Sequence, residues 1–280
     1  MIKVAMTGGD GLVGSRITEL LKEDFTFINF GQSQMDITDR NEVIKKLKDV
    51  DFDIFLHLAA YTNVQGAEEN EKLTYAVNRD GTKNIYEAVS SKKRNLIYIS
   101  TDFVFDGNSP PYYEDSKPNP LAVYAKSKYE GEKILEDNAM IVRIAYPYRA
   151  DFPNKKDFFR TFKSYLEAGK TLTMIHDSQM TPTFIDDIAY GLRHLMHNFS
   201  PEIFHLVGSS SVSPYEAVLE IANKFKLDGK LVKKISYEEY LKGKAALPRY
   251  AEIKSKKNDF WKMKSLSEGL DEIAKQLLKI

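Results

Sequence analysis

The chain has 280 residues, 42% of them hydrophobic and 29% charged, with forty basic side chains against forty acidic ones. That balance argues against a nucleic-acid or membrane-surface partner held by bulk electrostatics, and no apolar run reaches the ~18 residues of a membrane span, so a small-molecule ligand is expected. Cysteine is absent, which removes disulfides and thiolate chemistry and makes a cytoplasmic location the default, while the five histidines hold no His-Glu-x-x-His pattern and His194 and His197, three apart on a helix, read as surface or structural, so no metal is assigned.

Residues 2–6 run apolar and turn straight into Thr7-Gly8-Gly9-Asp10-Gly11-Leu12-Val13-Gly14, after which Val13, Ile17, Leu20 and Leu21 recur at helical spacing. The N-terminus does not read as a signal peptide. Strand, glycine turn and helix in that order predict a dinucleotide site, in which glycines at 8, 11 and 14 allow a tight turn and the close approach of a pyrophosphate. Phe25 to Phe30 reads as the second strand. An NAD-preferring fold places an acidic residue about 20 residues past the glycines to bond the adenosine ribose. Here that strand ends in Gly31-Gln32-Ser33-Gln34, with neither a carboxylate nor an arginine. Both NADP (NADPH) and NAD (NADH) therefore stay open, with a lean toward NADPH or dual use.

Thr38 or Asp39 is placed to cap a helix with Val43, Ile44 and Leu47 on its apolar face. Asp53 to Leu58 reads as a buried strand running into Ala59-Ala60-Tyr61-Thr62, where the small Ala59 and Ala60 would let a coenzyme lie against the backbone. A helix from about Leu73 to Ser90 precedes a strand, Asn95 to Ser100, that delivers Thr101 and Asp102 to the ligand-binding edge of a parallel sheet. The proline-rich loop 107–120 then leads into a helix carrying Tyr124 and Lys128. Residues four apart share a helix face, so phenol and ammonium can enter one cleft. A phenol has an unperturbed pKa of about 10, and a nearby lysine cation is expected to lower it toward the range useful for protonating a ketone oxygen.

Met140 to Ile144 is a further strand, after which the regular alternation breaks. Residues 158–166, 185–196, 213–225 and 266–278 read as helices, 171–183 contains a short extended region, and 203–207 reads as one more core strand. The lysine-rich stretch 226–265 is weakly patterned, and its Phe260 and Trp261 are expected to pack rather than to stack on a ligand. The predicted fold is α/β, a Rossmann-type doubly wound parallel sheet of about seven strands with a smaller C-terminal substrate lobe. Residues 1–148 plus about 183–208 would form the dinucleotide-binding core, and about 149–182 plus 209–280 the substrate-binding lobe.

Taken together, the glycine turn, Asp36-Ile37-Thr38-Asp39, Ala59 to Val64, Val77-Asn78, Ser100 to Gly107, Asn119-Pro120-Leu121 with Tyr124 and Ser127-Lys128, and Pro182-Thr183 resemble an extended short-chain dehydrogenase/reductase. More narrowly, they resemble the dTDP-4-dehydrorhamnose reductase family. The resemblance implies hydride transfer to the 4-keto carbon of a nucleotide-linked deoxy sugar, a small-molecule nucleotide-sugar substrate and a homodimer as an open possibility. Tyr124 would donate the proton, Lys128 would hold the nicotinamide ribose, and the Thr101 hydroxyl would bond the same oxygen. Gly11, Leu12, Val13, Asp36, Ile37, Ala60, Tyr61 and Thr62 would line the coenzyme, and Thr101, Asp102, Phe103 and Tyr146 would face the sugar. The chain departs from the family pattern at Gln65, Phe103, Ala125 and Tyr146. Two other readings belong to the same resemblance: a non-catalytic NADP-binding regulatory subunit like that of methionine adenosyltransferase, and a nucleotide-sugar epimerase.

Overall fold

Alternate residues of the parallel strands point into two separate cores. In a computed structural model describing residues 1–135 and 137–278, Val4 and Met6 of β1 (Ile2–Thr7) face one side of the sheet and Ala5 the other, all fully buried. A parallel sheet covered on both faces requires this, which is why its strands read as continuous apolar runs.

The glycine turn leads into α1 (Leu12–Leu21), followed by β2 (Phe25–Phe30), α2 (Arg40–Leu47) and β3 (Ile54–His57). Asp39 caps α2, its carboxylate accepting the Asn41 and Glu42 amides at 2.9 and 3.1 Å. Next come α3 (Val64–Glu69), α4 (Glu71–Tyr75), a π-helical turn at Ala76–Gly81, α5 (Thr82–Ser91), β4 (Asn95–Thr101), α6 (Val123–Leu135) and β5 (Met140–Ile144). The remainder consists of β6 (Pro147–Tyr148), α7 (Phe158–Glu167), β7 (Leu172–Ile175), β8 (Thr183–Phe184), α8 (Ile185–His197), β9 (Ile203–His205), α9 (Pro214–Lys224), β10 (Val232–Ile235), α10 (Tyr237–Tyr240) and α11 (Leu266–Leu277).

The central sheet has the order β2-β1-β3-β4-β5-β9, every pair parallel. Among the described residues it has six strands rather than about seven. The extended region within 171–183 places β7 elsewhere, paired in parallel with β10 from Leu172↔Val232 to Ile175↔Ile235. Leu172 and Val232 are buried there with Val218 and Ala222 of α9, so this short strand closes a separate small core. Four residues of strand read alike in either sheet, and only the partner, some 60 residues away, decides between them.

One face of the main sheet is covered by α1 and α8 through Ile17, Leu21, Ile188, Leu192 and Leu195. The other is covered by α2 and α5 through Val43, Leu47, Ile85 and Val89. A third cluster joins Tyr148, Phe159, Phe184, Ile221, Leu270 and Ile273. Phe260 and Trp261 pack as expected. Phe260 stacks on His194 with ring centroids 4.2 Å apart, and Trp261 lies against Tyr190 while its indole N–H donates to the buried Asp187 carboxylate at 3.2 Å. Among the described residues no helix is long and apolar enough to cross a membrane.

Candidate active site

β2 lies on one side of β1 and β3 on the other, so the segments leaving the C-terminal ends of β1 and β3 diverge and open a crevice, the place where ligands enter such sheets. Gly8 makes the crevice possible. Its φ is +72°, and a Cβ there would come within 2.9 Å of the Ala59 nitrogen. A Cβ at Gly14 would stand 2.4 Å from the Gly8 carbonyl oxygen, so helix and turn could not close up. α1 begins with Gly11 as its N-cap and no capping side chain. The amides of its first turn, with the positive end of the helix dipole, are left for an anion such as a pyrophosphate.

One cavity of about 410 Å³ collects most of the residues singled out from the sequence. Gly8, Gly11, Leu12 and Val13 come from the turn, Ala59, Ala60 and Thr62 from the segment after β3, Thr101, Asp102 and Phe103 from the end of β4 and beyond, Tyr124 and Lys128 from α6, and Tyr146 from the segment after β5. Asp36, Ile37 and Tyr61 are not among its walls. The Asp36 carboxylate binds the Thr38 amide and hydroxyl at 2.9 and 2.8 Å, and Ile37 is buried under Gly81 in the second core. Lys155, Ser100 and Pro147 also line the cavity and were not anticipated. Lys155 arrives from a polar loop with no local motif, and its ammonium donates to the Thr62 hydroxyl at 3.0 Å.

Thr101 sits at the centre of the polar wall. Its hydroxyl donates to Asp102 Oδ1 at 3.1 Å and accepts the Phe103 amide at 3.2 Å, and it lines the same cavity as the Tyr124 phenol. Burial pushes Asp102 up to about 7, and its Oδ2 is buried without a hydrogen-bond partner. Phe103 stands edge-on to both Tyr124 and Tyr146, with centroids 6.0 and 5.8 Å away.

The expected lowering of the Tyr124 pKa by Lys128 is not what the structure shows. Burial pushes the phenol up to about 12, with only the Thr101 hydroxyl pulling the other way. Lys128 is 2% exposed, and burial pushes it down to about 7 against the attraction of Glu132. Its ammonium donates to the Ile99 carbonyl at 2.8 Å and lies 3.9 Å from the centre of the Tyr98 ring. A lysine so poorly solvated is a weak source of positive potential at neutral pH, and desolvation of the phenol prevails.

That shift sets a pH dependence of stability. Between pH 7 and the ordinary lysine value the unfolded chain keeps a proton that the folded chain has released, so this group makes stability rise with pH across that window. The Lys128→Met variant is expected to lack the rise. Urea midpoints of both proteins at pH 7 and pH 9.5 measure it, and a difference between the two proteins that stays constant with pH would mean that Lys128 titrates normally.

The sequence did not reveal the role of Asn78. It lies within the π-helical turn and is 1% exposed. Its Oδ1 accepts the Tyr61 amide at 2.8 Å, and its Nδ2 donates to the Tyr61 carbonyl at 3.1 Å and to the Ser127 hydroxyl at 2.9 Å. Asn78 thus ties the loop after β3 to α6, and through it Tyr61 shapes the site without facing the cavity. The available signal was an asparagine inside a long helical pattern, where it is a poor helix former. Asn78→Ala strands these partners and is expected to cost about 1–3 kcal/mol in a denaturant titration; a loss under ~0.5 kcal/mol would show that the clamp contributes nothing.

Glycines at such a switch point suit a dinucleotide, and a buried threonine and lysine with a half-buried tyrosine at its lip suit carbonyl chemistry. The proteins that join the two on this sheet are the extended short-chain dehydrogenase/reductases. Over residues 2–278 the chain matches the family described as RmlD substrate binding domain, and it belongs to that family. It is 31% identical over 223 residues to a dTDP-4-dehydrorhamnose reductase of Sinorhizobium fredii, covering 76% of this chain and 74% of that protein. It is also 31% identical over 242 residues to the methionine adenosyltransferase 2 subunit beta of Bos taurus, covering 80% and 72% respectively. The crystal structure of dTDP-4-dehydrorhamnose reductase from Bacillus anthracis in complex with NADP superposes with a TM-score of 0.91 at 29% identity, covering 99% of this chain and all of that one.

Proposed function

We propose that the chain is a nicotinamide-dependent reductase acting on the 4-keto group of a nucleotide-linked deoxy sugar, with dTDP-4-dehydro-L-rhamnose as its substrate and dTDP-L-rhamnose as its product. The observation that carries this reading is the convergence of Thr101, Tyr124 and Lys128 on one cavity with the uncapped N-terminus of α1. The residues fit the coenzyme: Gly8 and Gly14 keep the cradle clear, and the first turn of α1 offers amides to its pyrophosphate. Once bound, the coenzyme supplies a hydride to the carbonyl carbon.

The chain's own groups act on the oxygen. Tyr124 gives its phenolic proton to the oxygen that gains charge as the hydride arrives, and the Thr101 hydroxyl, in the same cavity wall, bonds that oxygen. Lys128 holds the nicotinamide ribose and offsets the phenolate left behind. Asp102, Phe103 and Tyr146 face the sugar. In this reading residues 1–148 and about 183–208 carry the coenzyme, and about 149–182 with 209–280 the sugar nucleotide. The Gln65 side chain accepts the Ala245 amide at 2.9 Å, which anchors the lysine-rich later segment beside the loop after β3.

Loss of absorbance at 340 nm on mixing the protein with dTDP-4-dehydro-L-rhamnose and NADPH or NADH tests the reading. Substrate-dependent oxidation is the expected result. The likeness to the methionine adenosyltransferase 2 subunit beta favours one second reading, a coenzyme-binding regulatory subunit. Tight coenzyme binding without turnover of this sugar or other 4-keto sugar nucleotides would move the conclusion there.

A further inference from the structure

The position about 20 residues past the glycines, where dinucleotide folds choose between a ribose hydroxyl and a 2′-phosphate, is Gly31 in this chain. Its side-chain space is nevertheless filled. A Cβ built on Gly31 would meet Asp10 Oδ2 at 2.7 Å, so a carboxylate from the glycine turn occupies the place that residue 31 would otherwise take. Asp10 is held there by the penultimate residue of β2. Asn29 Nδ2 donates to Asp10 Oδ1 at 2.7 Å, while Asn29 Oδ1 accepts the Gly9 amide at 3.0 Å. Gly9 must be small for this to work, since a Cβ there would stand 2.3 Å from Asn29 Oδ1. The turn after β2 is closed on itself, the Gln34 side chain accepting the Gly31 amide at 2.8 Å. From Gly31 to Gln34 it offers no lysine or arginine.

We infer that Asp10 is the specificity-determining residue for the coenzyme, taking the ribose 2′-hydroxyl of NADH and repelling the 2′-phosphate of NADPH. This rests on the coenzyme site proposed above and reverses the lean toward NADPH drawn from the sequence. Asp10 Oδ1 is engaged by Asn29, while Oδ2 points into the space beside Gly31 and can accept a hydroxyl proton. A phosphate there would instead meet a carboxylate held by Asn29, with no lysine or arginine in the turn from Gly31 to Gln34 to offset it, a like-charge contact that both partners can relieve only by moving apart. The exposure of Asp10 leaves that repulsion open to screening by salt, over a Debye length of about 10 Å at 0.1 M.

The test is calorimetric titration of the whole protein with NADH and with NADPH, without sugar substrate. Wild type is expected to bind NADH at least about tenfold more tightly than NADPH, with the ratio narrowing as salt is raised. Asp10→Asn keeps an oxygen for Asn29 and is expected to collapse the ratio, chiefly by a gain in NADPH affinity; Asp10→Glu, which keeps the charge, is expected to preserve the sign of the preference. Equal affinities in wild type, a preference for NADPH, or a ratio unchanged in Asp10→Asn would each overturn the assignment. Those outcomes would leave the reductase reading intact if sugar reduction persists, whereas failure of both coenzymes to bind would remove the coenzyme site together with the inference.

Discussion

Replacing Tyr124 with phenylalanine is expected to lower turnover by roughly 10²–10⁴-fold while leaving coenzyme affinity within about threefold, because only the proton donor is removed. The phenol lines the cavity beside Thr101, and burial has pushed it up to about 12, so it stays protonated and available as an acid at neutral pH. Such a donor is intrinsically weak. It becomes effective if coenzyme and substrate restore a charged Lys128 or bring developing negative charge onto the oxygen facing the phenol. Single-turnover oxidation of bound coenzyme isolates the step, and turnover within about threefold of wild type would remove Tyr124 from the mechanism.

The second large effect concerns Arg143 on β5, a fully buried side chain 1% exposed. Its guanidinium makes a bidentate pair with Glu132 of α6, at 3.0 and 2.6 Å, and faces His205 Nε2 at 3.4 Å. The Arg143→Met variant keeps an apolar filler of similar length but leaves Glu132, itself 4% exposed, without its cation. Removing one partner of a buried pair typically costs about 3–5 kcal/mol, equivalent here to a fall of roughly 6–20 °C in Tm. Replacing both members, Arg143→Met with Glu132→Leu, is expected to recover most of that loss, since two apolar groups owe nothing to desolvation. A scanning-calorimetry Tm within about 2 °C of wild type for the single variant would show that water reaches Glu132. Glu132 also supports the charge on Lys128, so the single and double variants should differ in the pH dependence described for that lysine.

Tyr124 and Glu132, the α6 residues of the two predictions, lie about two turns apart on one helix, which illustrates what could be read from sequence. Tyr124 and Lys128 are four residues apart, and helical periodicity alone brings them to one cavity. The glycine turn was equally legible, because its backbone geometry is imposed locally: the positive φ of Gly8 needs a residue without Cβ whatever surrounds it. The two apolar faces of each strand announced a sheet covered on both sides.

Other features escaped because their causes are remote in the chain. The strand at Leu172–Ile175 has the composition of a core strand, yet its pairing with Val232–Ile235 puts it outside the main sheet. The environment of Tyr124 depends on how thoroughly six strands and their helices exclude water, which no spacing encodes, so burial outweighed the lysine where local reasoning expected the reverse. Asn78 became a clamp only once Tyr61 and Ser127 were folded to either side of it.

By itself, the sequence determined the α/β class, the glycine turn and the shared helix face of Tyr124 and Lys128, because each follows from local backbone geometry or helical period, while Thr101 joined them by its place at the end of a strand and by the family resemblance. Tertiary structure alone decided the strand count, the protonation balance of the site and the carboxylate that stands beside Gly31. Those depend on which distant residues share a volume and how much water remains there, and the chain order of residues does not carry that information locally.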